Sequence, residues 1–408
     1  MRLYIKLAWR NIFRNKRRTF IAGSAIGIGL ASLIFVDAIV LGMEENLIYS
    51  ATASFLGEGQ IHHDGFRTTF ELESTIIEPE KVTAKLEAQP VVEHFAPRLL
   101  SYAMISSPAN VSGVTMVGID PDREREISQI DEAVIEGTYL DTNSARSIVI
   151  GDKLADLMEV ELGDRVVLTA SQVHGGELSQ EMFRVSGIFH MAVDGMDKGM
   201  VFISLGKAQQ MLNLAGEIHE IALKFNNAEI GHNEQASFWT TYSTDGNEAA
   251  GWAVLMPQMK VALDFGQFST LIIGLILFAV VSLGIINTLF MSLYERMFEF
   301  GVMRAVGTRP FAMGRLIVFE AGALAAVSCV LGIILGLVVT CVFTRIGIDY
   351  TGIEYVGVTF RELLYPVMQL KQYVLYPVIV FLLTMVVGLY PASYAARMNA
   401  AKAMRRSF

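Results

Sequence analysis

Four segments of the chain stay apolar for far longer than the rest: roughly Phe20–Met43, Phe268–Leu293, Leu316–Phe343 and Val374–Ala396. Each exceeds the ~20 helical residues needed to cross a hydrocarbon core of ~30 Å, and a buried core helix seldom stays apolar that long. The pattern predicts four transmembrane helices. Between the first and second runs the periodicity shortens. The segments 111–120, 147–152, 164–173, 181–190, 198–205 and 220–225 read as strands, and 78–89, 152–160 and 205–215 as helices. Segments 164–173 and 181–190 are joined by HGGELSQ, whose Gly175 and Gly176 suit a hairpin turn. From about 250 to 266 the pattern returns to helix and feeds the second run, which predicts a stalk extending beyond the membrane. The fold class is therefore an α-helical membrane protein with four transmembrane helices plus a large α/β (α+β) domain inserted between TM1 and TM2.

The chain ends add a second kind of helix. Within residues 1–18, Met1, Ile5, Ala8, Trp9, Ile12 and Phe13 share one side, while Arg2, Lys6, Arg10 and Arg14 recur every four residues on the other. Such a stripe predicts an amphipathic helix lying on the membrane surface.

Charge orients the segments. Residues 44–266 carry 14 Lys and Arg against 34 Asp and Glu, a net of −20, whereas the remainder of the chain is net +11. Arg2, Lys6, Arg10, Arg14, Lys16, Arg17 and Arg18 precede the first run; Arg397, Lys402, Arg405 and Arg406 follow the fourth. The loop between runs two and three holds Arg296, Arg304, Arg309 and Arg315. Short basic loops stay cytoplasmic, so both termini and this loop are expected inside and the acidic domain outside. Nucleic acid is excluded as a partner of that domain, because phosphate binding needs the opposite sign. The first run lacks a small-residue cleavage site and is too long for a signal peptide's apolar core, so it reads as an uncleaved anchor.

Candidate chemistry is sparse. No G-x-x-x-x-G-K-[ST] phosphate loop occurs; the nearest dipeptide is Gly206-Lys207, so ATP chemistry must come from another chain. The two cysteines, Cys329 and Cys341, both lie in the third run. They stand ~18 Å apart along a helix, beyond disulfide reach. His62-His63-Asp64 reads as a solvated loop, because adjacent side chains diverge and rarely converge on one ion. No metal ligands and no catalytic residues are expected. Asp37, the one acid inside the first run, lies ~27 Å from Thr19 along the axis, near the outer interface where a charge costs little. Gly23, Gly27 and Gly29 in run one and Gly322, Gly332 and Gly336 in run three predict close helix approach, within a bundle or a dimer.

The stretch NTLFMSLYERMFEFGVMRAVGTRPF, from Asn287 to Phe311, turns charged where run two ends. Its helix is expected to continue to Gly307, a good C-terminal residue, with Thr308 capping the next helix and Pro310 in its first turn. Met297, Phe298, Phe300 and Met303 beside Glu295, Arg296, Glu299 and Arg304 suit docking into a groove on another protein. Gly301 is expected to let the partner's backbone approach.

At these residues the sequence resembles the FtsX-like, MacB-type ABC transporter permeases. Asn287, Ser292, Glu295, Arg296, Glu299, Gly301, Arg304, Ala305 and Gly307 fall in register with the family's coupling segment. LAWRNIFRNKRRTF resembles its N-terminal surface helix. YPASYAARMNAAKAMR resembles its closing motif, with Ala400 or Ala401 in place of the usual proline. GDKLADLMEVELGDRVVL and EMFRVSGIF look most like lipoprotein-releasing permeases of the LolC and LolE type.

The resemblance implies a permease subunit without catalytic residues, which couples ATP hydrolysis by a separate cytoplasmic ATPase to movements of its periplasmic domain. No cofactor is bound directly; ATP and Mg²⁺ sit on the ATPase. The implied partners are that ATPase, a second permease subunit, membrane lipids, lipoproteins and a periplasmic carrier. The hairpin at HGGELSQ is shorter than the family's carrier-gripping one. Lipoprotein release toward the outer membrane is the expected function, with export of another periplasmic substrate or signalling to a cell-wall hydrolase as alternatives. The implied division is a cytoplasmic helix (1–19), TM1 (20–43), a periplasmic domain (44–266), TM2 (267–293), a coupling segment (294–315), TM3 (316–344), a short periplasmic loop (345–373), TM4 (374–396) and a tail (397–408). The periplasmic domain divides into a porter part, about 44–112 and 195–266, and an inserted part, about 113–194. The protein is expected in the bacterial inner membrane.

Overall fold

Each apolar run becomes one helix, and all are longer than the runs that predict them. In the computed structural model these are α2 (Lys16–Ala51), α5 (Pro257–Glu295), α7 (Pro310–Ile346) and α8 (Leu370–Ala396); α1 (Arg2–Ile12) precedes them. Two short helices used below, α3 (Asp152–Met158) and α4 (Asp194–Gly199), lie between α2 and α5, and α6 (Met297–Ala305) lies between α5 and α7. The structure describes residues 2–12, 14, 16–141, 146–173, 175–355, 358–360 and 363–397. Met1 and Phe13 of the amphipathic stripe, His174 of the hairpin, and Ala400, Ala401, Lys402, Arg405 and Arg406 lie outside the described residues.

The chain divides into two compact units. One comprises residues 1–45, 263–349 and 363–408; the other comprises 46–262 and 350–362. The helical unit is held by Ala22, Ile26, Leu30 and Ile34 of α2 against Ile285 and Leu289 of α5, Ala321 and Leu324 of α7, and Val380 of α8. The glycine stripes work within one chain. A Cβ at Gly332 would stand 2.9 Å from the Gly27 carbonyl oxygen and from the Leu30 side chain, so the missing side chain lets α7 cross α2 backbone to backbone. Run two does extend as one helix over 39 residues, ~58 Å at 1.5 Å per residue.

The strand-rich unit holds ten strands in one sheet: β1 (Gly59–His63), β2 (Val92–Ser106), β3 (Val111–Ile119), β4 (Val134–Gly137), β5 (Ser147–Gly151), β6 (Arg165–Ser171), β7 (Leu178–Phe189), β8 (Met200–Ser204), β9 (Glu220–Phe225) and β10 (Asn247–Gly251). The order is β10-β1-β9-β2-β3-β8-β5-β7-β4, with β6 paired to β2 and β7. The expected hairpin is present: β6 and β7 pair antiparallel from Arg165↔Arg184 to Ser171↔Leu178. Three cores share the sheet. Val117, Ile119, Val149, Phe189 and Phe202 form one; Ile61, Ile221, Leu223, Phe225 and Trp239, and Ile105, Met116, Ile150, Leu168 and Phe183, form the other two. The 15-residue β2 joins them, pairing through Val92–Arg98 with β9 and through Ala103–Ser106 with β6. A two-stranded hairpin, β11 (Glu354–Tyr355) with β12 (Val358–Thr359), occupies the expected loop between α7 and α8.

Several expectations need correction. Strands β1, β2, β4 and β10 were not visible in the pattern. Pro97 interrupts the β2 signal, yet it is tolerated because β3 begins pairing only at Arg98, one residue later. Asn247-Glu-Ala-Ala-Gly has little strand preference and is held by pairing with β1. His62 is not in a solvated loop: it is buried in β1, and burial pushes its pKa down to about 4. The helix after run two does not continue to Gly307 but breaks at Arg296, where φ is −107° and ψ 13°. Thr308 is not the cap of α7; Arg309 takes the N-cap position with extended geometry, and Pro310 follows at N1.

Candidate functional site

The break at Arg296 separates α6 from α5 and makes it a short helix with two unlike faces. Phe300 and Gly301 are buried. Phe300 is 1% exposed and packs with Leu293 of α5, Met313, Leu316 and Ile317 of α7, and Ala392 and Ala395 of α8, with Met303 against the same cluster. Phe300 and Gly301, expected to meet a partner, are buried against α6's own chain, and the half-buried Met303 lies beside them. The opposite face carries Phe298 (50% exposed), Val302 (40%) and, just past the helix, Val306 (83%). Positions 298, 302 and 306 follow the four-residue spacing of one helical face. Val302 and Val306 were missed because the sequence does not say which apolar stripe faces inward.

The end of α6 is closed by hydrogen bonds that a left-handed residue requires. Gly307 has φ +100°; its N–H donates to Arg304 O at 3.1 Å and the Thr308 N–H donates to Met303 O at 2.9 Å. This paired arrangement satisfies the last carbonyls and reverses the chain. Arg304 adds a bond from Nη1 to Thr308 O at 3.3 Å. Gly307 has the role expected of it.

The charges of the segment form a chain of ion pairs. Arg296 Nε donates to Glu299 at 2.9 Å and its Nη1 to Glu320 of α7 at 2.6 Å, while its guanidinium lies 5.2 Å from the Phe300 ring centroid. Arg14 Nη1 donates to the other oxygen of Glu299 at 2.7 Å. The bonds from Arg14 and Arg296 hold the Glu299 carboxyl below its ordinary range. Arg296 and Glu299 thus hold α6 in place, and Arg14 faces an acid instead of only lipid headgroups. Glu295 is exposed, and Met297 is half-buried. The sequence placed Glu295, Arg296 and Glu299 together but could not supply Glu320 and Arg14, 24 and 285 positions from their partners.

A cavity of about 480 Å³ opens in the helical unit among α2, α5 and α8. One part is polar, with Asp37, Thr270 and Gln372; Leu33, Leu275 and Phe278 line the rest. Asp37 accepts a hydrogen bond from Gln372 Nε2 at 2.9 Å. Gln372 sits in the first turn of α8, where it also closes a capping box with Gln369. An acid with a fixed polar partner at a helix end ties α2 to α8.

In the strand-rich unit, Arg98 is fully buried between two acids. Nε and Nη2 donate to Glu124 at 2.9 and 2.6 Å, and Nη1 donates to Glu220 at 2.8 Å. The Phe55 ring covers the guanidinium at 3.9 Å from its centroid. Phe55 lies in the π-helical turn Thr52–Leu56 that directly continues α2. The end of the first long helix is thereby clamped onto β2 and β9.

Comparison with known proteins gives consistent results. Residues 19–230 match the MacB-like periplasmic core domain, and residues 271–400 match the FtsX-like permease C-terminal family. The chain is 23% identical over 397 residues to the lipoprotein-releasing system transmembrane protein LolE of Haemophilus influenzae, covering 93% of each chain. It is 22% identical over 433 residues to the corresponding LolC of Xylella fastidiosa, covering 99% of this chain and 98% of that one. Among solved structures, the periplasmic region of MacB from Actinobacillus actinomycetemcomitans aligns at 12% identity with a TM-score of 0.34, covering 50% of this chain and 92% of that one.

Proposed function

This chain belongs to the FtsX-like permeases with a MacB-like periplasmic core domain and is the permease subunit of a MacB/LolCDE-type ABC transporter; from that premise we propose that it releases lipoproteins from the membrane and that α6 is where its ATPase docks. Membership implies a multi-pass protein of the bacterial inner membrane, an ABC ATPase partner and a paired permease subunit. In our reading both termini and α6 are cytoplasmic, residues 44–266 and 345–373 are periplasmic, and ATP and Mg²⁺ stay on the ATPase. The basic flanks support that orientation.

The observation that carries the cargo assignment is the amphiphilic cavity among α2, α5 and α8. Its apolar lining suits acyl chains, and its polar part suits the modified end of a protein that must stay hydrated. The stroke begins at α6. Phe298, Val302 and Val306 bury against the ATPase, and the ion-pair chain through Glu299, Arg296 and Glu320 passes movement of α6 to α7. The helices α2 and α5 continue into the strand-rich unit, where the Phe55–Arg98 clamp receives the motion of α2. A periplasmic carrier then takes the lipoprotein.

The test is reconstitution of the permease pair with its ATPase in proteoliposomes holding a triacylated lipoprotein. Replacing Arg296 would disturb the ion pairs that position α6, so the informative change is on the outward face. Phe298→Asp with Val302→Asp should lower ATPase co-purification at least tenfold, since buried interface anchors cost about 2 kcal/mol or more. Leu275→Trp, which fills the cavity from an exposed position, should leave ATPase binding intact and slow release severalfold. Full ATPase retention by the first variant removes the docking role, and an unmodified release rate in the second removes the cavity from the cargo path.

A further inference from the structure

The strand-rich unit contains a cluster that neither α6 nor the cavity uses. Asp152 opens α3 directly after β5, His190 follows the last residue of β7, and Asp197 lies in α4. Gly151 makes their meeting possible. Its φ of −72° and ψ of 152° suit any residue, but a Cβ there would stand 2.2 Å from the Asp197 carbonyl oxygen and 2.6 Å from its Cα. Space alone demands glycine, and it brings the backbone of α4 against the β5–α3 junction. His190 Nδ1 then lies 2.8 Å from Asp152 Oδ2 and 3.6 Å from Asp197 Oδ2. One donor atom from each residue lies within 4.8 Å of the others.

Asp197 has an unmet need. Its side chain is 0% exposed. Oδ1 accepts the Met191 N–H at 2.8 Å, whereas Oδ2 has no hydrogen-bond donor among the described residues. Burial raises the pKa of this carboxyl, opposed by the Met191 N–H. A buried carboxylate is costly unless a positive charge faces it. Lys153 and Lys198 do not fill that place, because both ammonium groups pair with Asp194.

We propose that Asp152, His190 and Asp197 form a site for a divalent transition-metal ion of the zinc class, which clips the β5–α3 junction, the end of β7 and α4 together. One imidazole nitrogen with two carboxylate oxygens is a donor set that Zn²⁺ accepts and that Mg²⁺, which prefers oxygen, does not match. Tetrahedral zinc–ligand bonds of ~2.1 Å place donors about 3.4 Å apart. The Asp197–His190 separation already fits, and Asp152 must retreat by about half an ångström. The His190 and Asp152 side chains are 42% and 29% exposed, which leaves solvent access for a water as the fourth ligand. The site requires no ATPase and no cargo, so it stands apart from the transport reading.

The experiment uses the full chain in detergent, stripped with a chelator and titrated with ZnCl₂ by calorimetry. The wild type should bind one equivalent and melt at a higher temperature with Zn²⁺ present, since an ion bound only by the folded state stabilises it. His190→Ala and Asp197→Asn should each weaken binding at least tenfold and abolish the Zn²⁺-dependent rise. Asp197→Asn keeps an oxygen for the Met191 N–H; if it nevertheless fails to fold by circular dichroism, the half-exposed His190→Ala decides alone. Absence of Zn²⁺ binding by the wild type would overturn the proposal, as would binding by His190→Ala as tight as the wild type's. The trio would then be a hydrogen-bonded cluster that braces the three segments without an ion.

Discussion

Single side chains decide which parts of this protein respond to pH and which to truncation. His62 lies buried in β1, and burial pushes its pKa down from 6.5 to about 4. A histidine depressed in the folded state contributes stability that is complete above the unfolded value. As pH falls from 6.5 toward 4, the unfolded chain takes up a proton that the folded chain refuses, so stability is lost in that window. The loss amounts to about 3 kcal/mol. Thermal melting of the solubilised protein should show it, and His62→Leu should flatten the profile between pH 6.5 and 4; an unaltered profile would mean that other groups carry the dependence. Arg98 shows the opposite case, a charge kept ionised inside the unit. Glu124 and Glu220 neutralise it, and burial alone would otherwise oppose its charge. None of this is visible in order along the chain, because Glu220 meets Arg98 only when β2 pairs with β9, and Glu124 is brought there by the turn after β3 once β3 pairs with β2.

Elements divide into those whose identity is local and those that depend on neighbours. Long apolar runs become helices because a chain in lipid must satisfy its own backbone. Their crossings depend on where side chains are absent. Gly332→Ala in α7 places a methyl 2.9 Å from the backbone oxygen of Gly27, and overpacking of this kind costs about 1–3 kcal/mol. Its melting temperature should fall. Gly284→Ala in α5, where a Cβ meets nothing within 4 Å, should be neutral or slightly stabilising because alanine favours helix by about 1 kcal/mol. Equal melting of the two variants would show that the α2–α7 crossing is looser than described. Strand β2 illustrates dependence on neighbours. Leu99, Ala103 and Ile105 alternate with exposed Tyr102 and Met104, yet Pro97 and the charges of its first half hide the period.

At the scale of the whole molecule, segregation of charge and hydrophobicity predicts two separable units. Residues 46–262 form one of them together with 350–362. Their ten-stranded sheet and three main hydrophobic cores draw on no residue of the long apolar runs two to four. A fragment of residues 46–262 should therefore fold alone as a soluble α/β domain, with the net charge of −20 counted over 44–266 keeping it dispersed. Circular dichroism and dispersed amide resonances should show strand content with cooperative melting. An unfolded fragment would mean that the hairpin of residues 350–362 or the membrane helices complete the core.

The sequence by itself determined what is carried by composition and short period. Four spans, the acidic inserted domain, six of its strands, the β6–β7 hairpin and the turn at Gly307 all follow from apolar run length, alternation or glycine. The family resemblance at Glu295–Gly307 was legible for the same reason, since its residues are contiguous. Tertiary structure decided which stripe of α6 faces inward. Phe298 and Phe300 are equally apolar, and only the positions of Met313, Leu316 and Ala392 bury the second and leave the first exposed. It also decided the break at Arg296 and the pairing of that side chain with Glu320, and it assembled Arg98 with Glu124 and Glu220 and Asp152 with His190 and Asp197. Hydrophobic burial along a helix or strand depends on neighbours a few residues away, so the pattern shows it. Charge pairing and close approach depend on where distant segments meet, and that is settled only when the chain closes on itself.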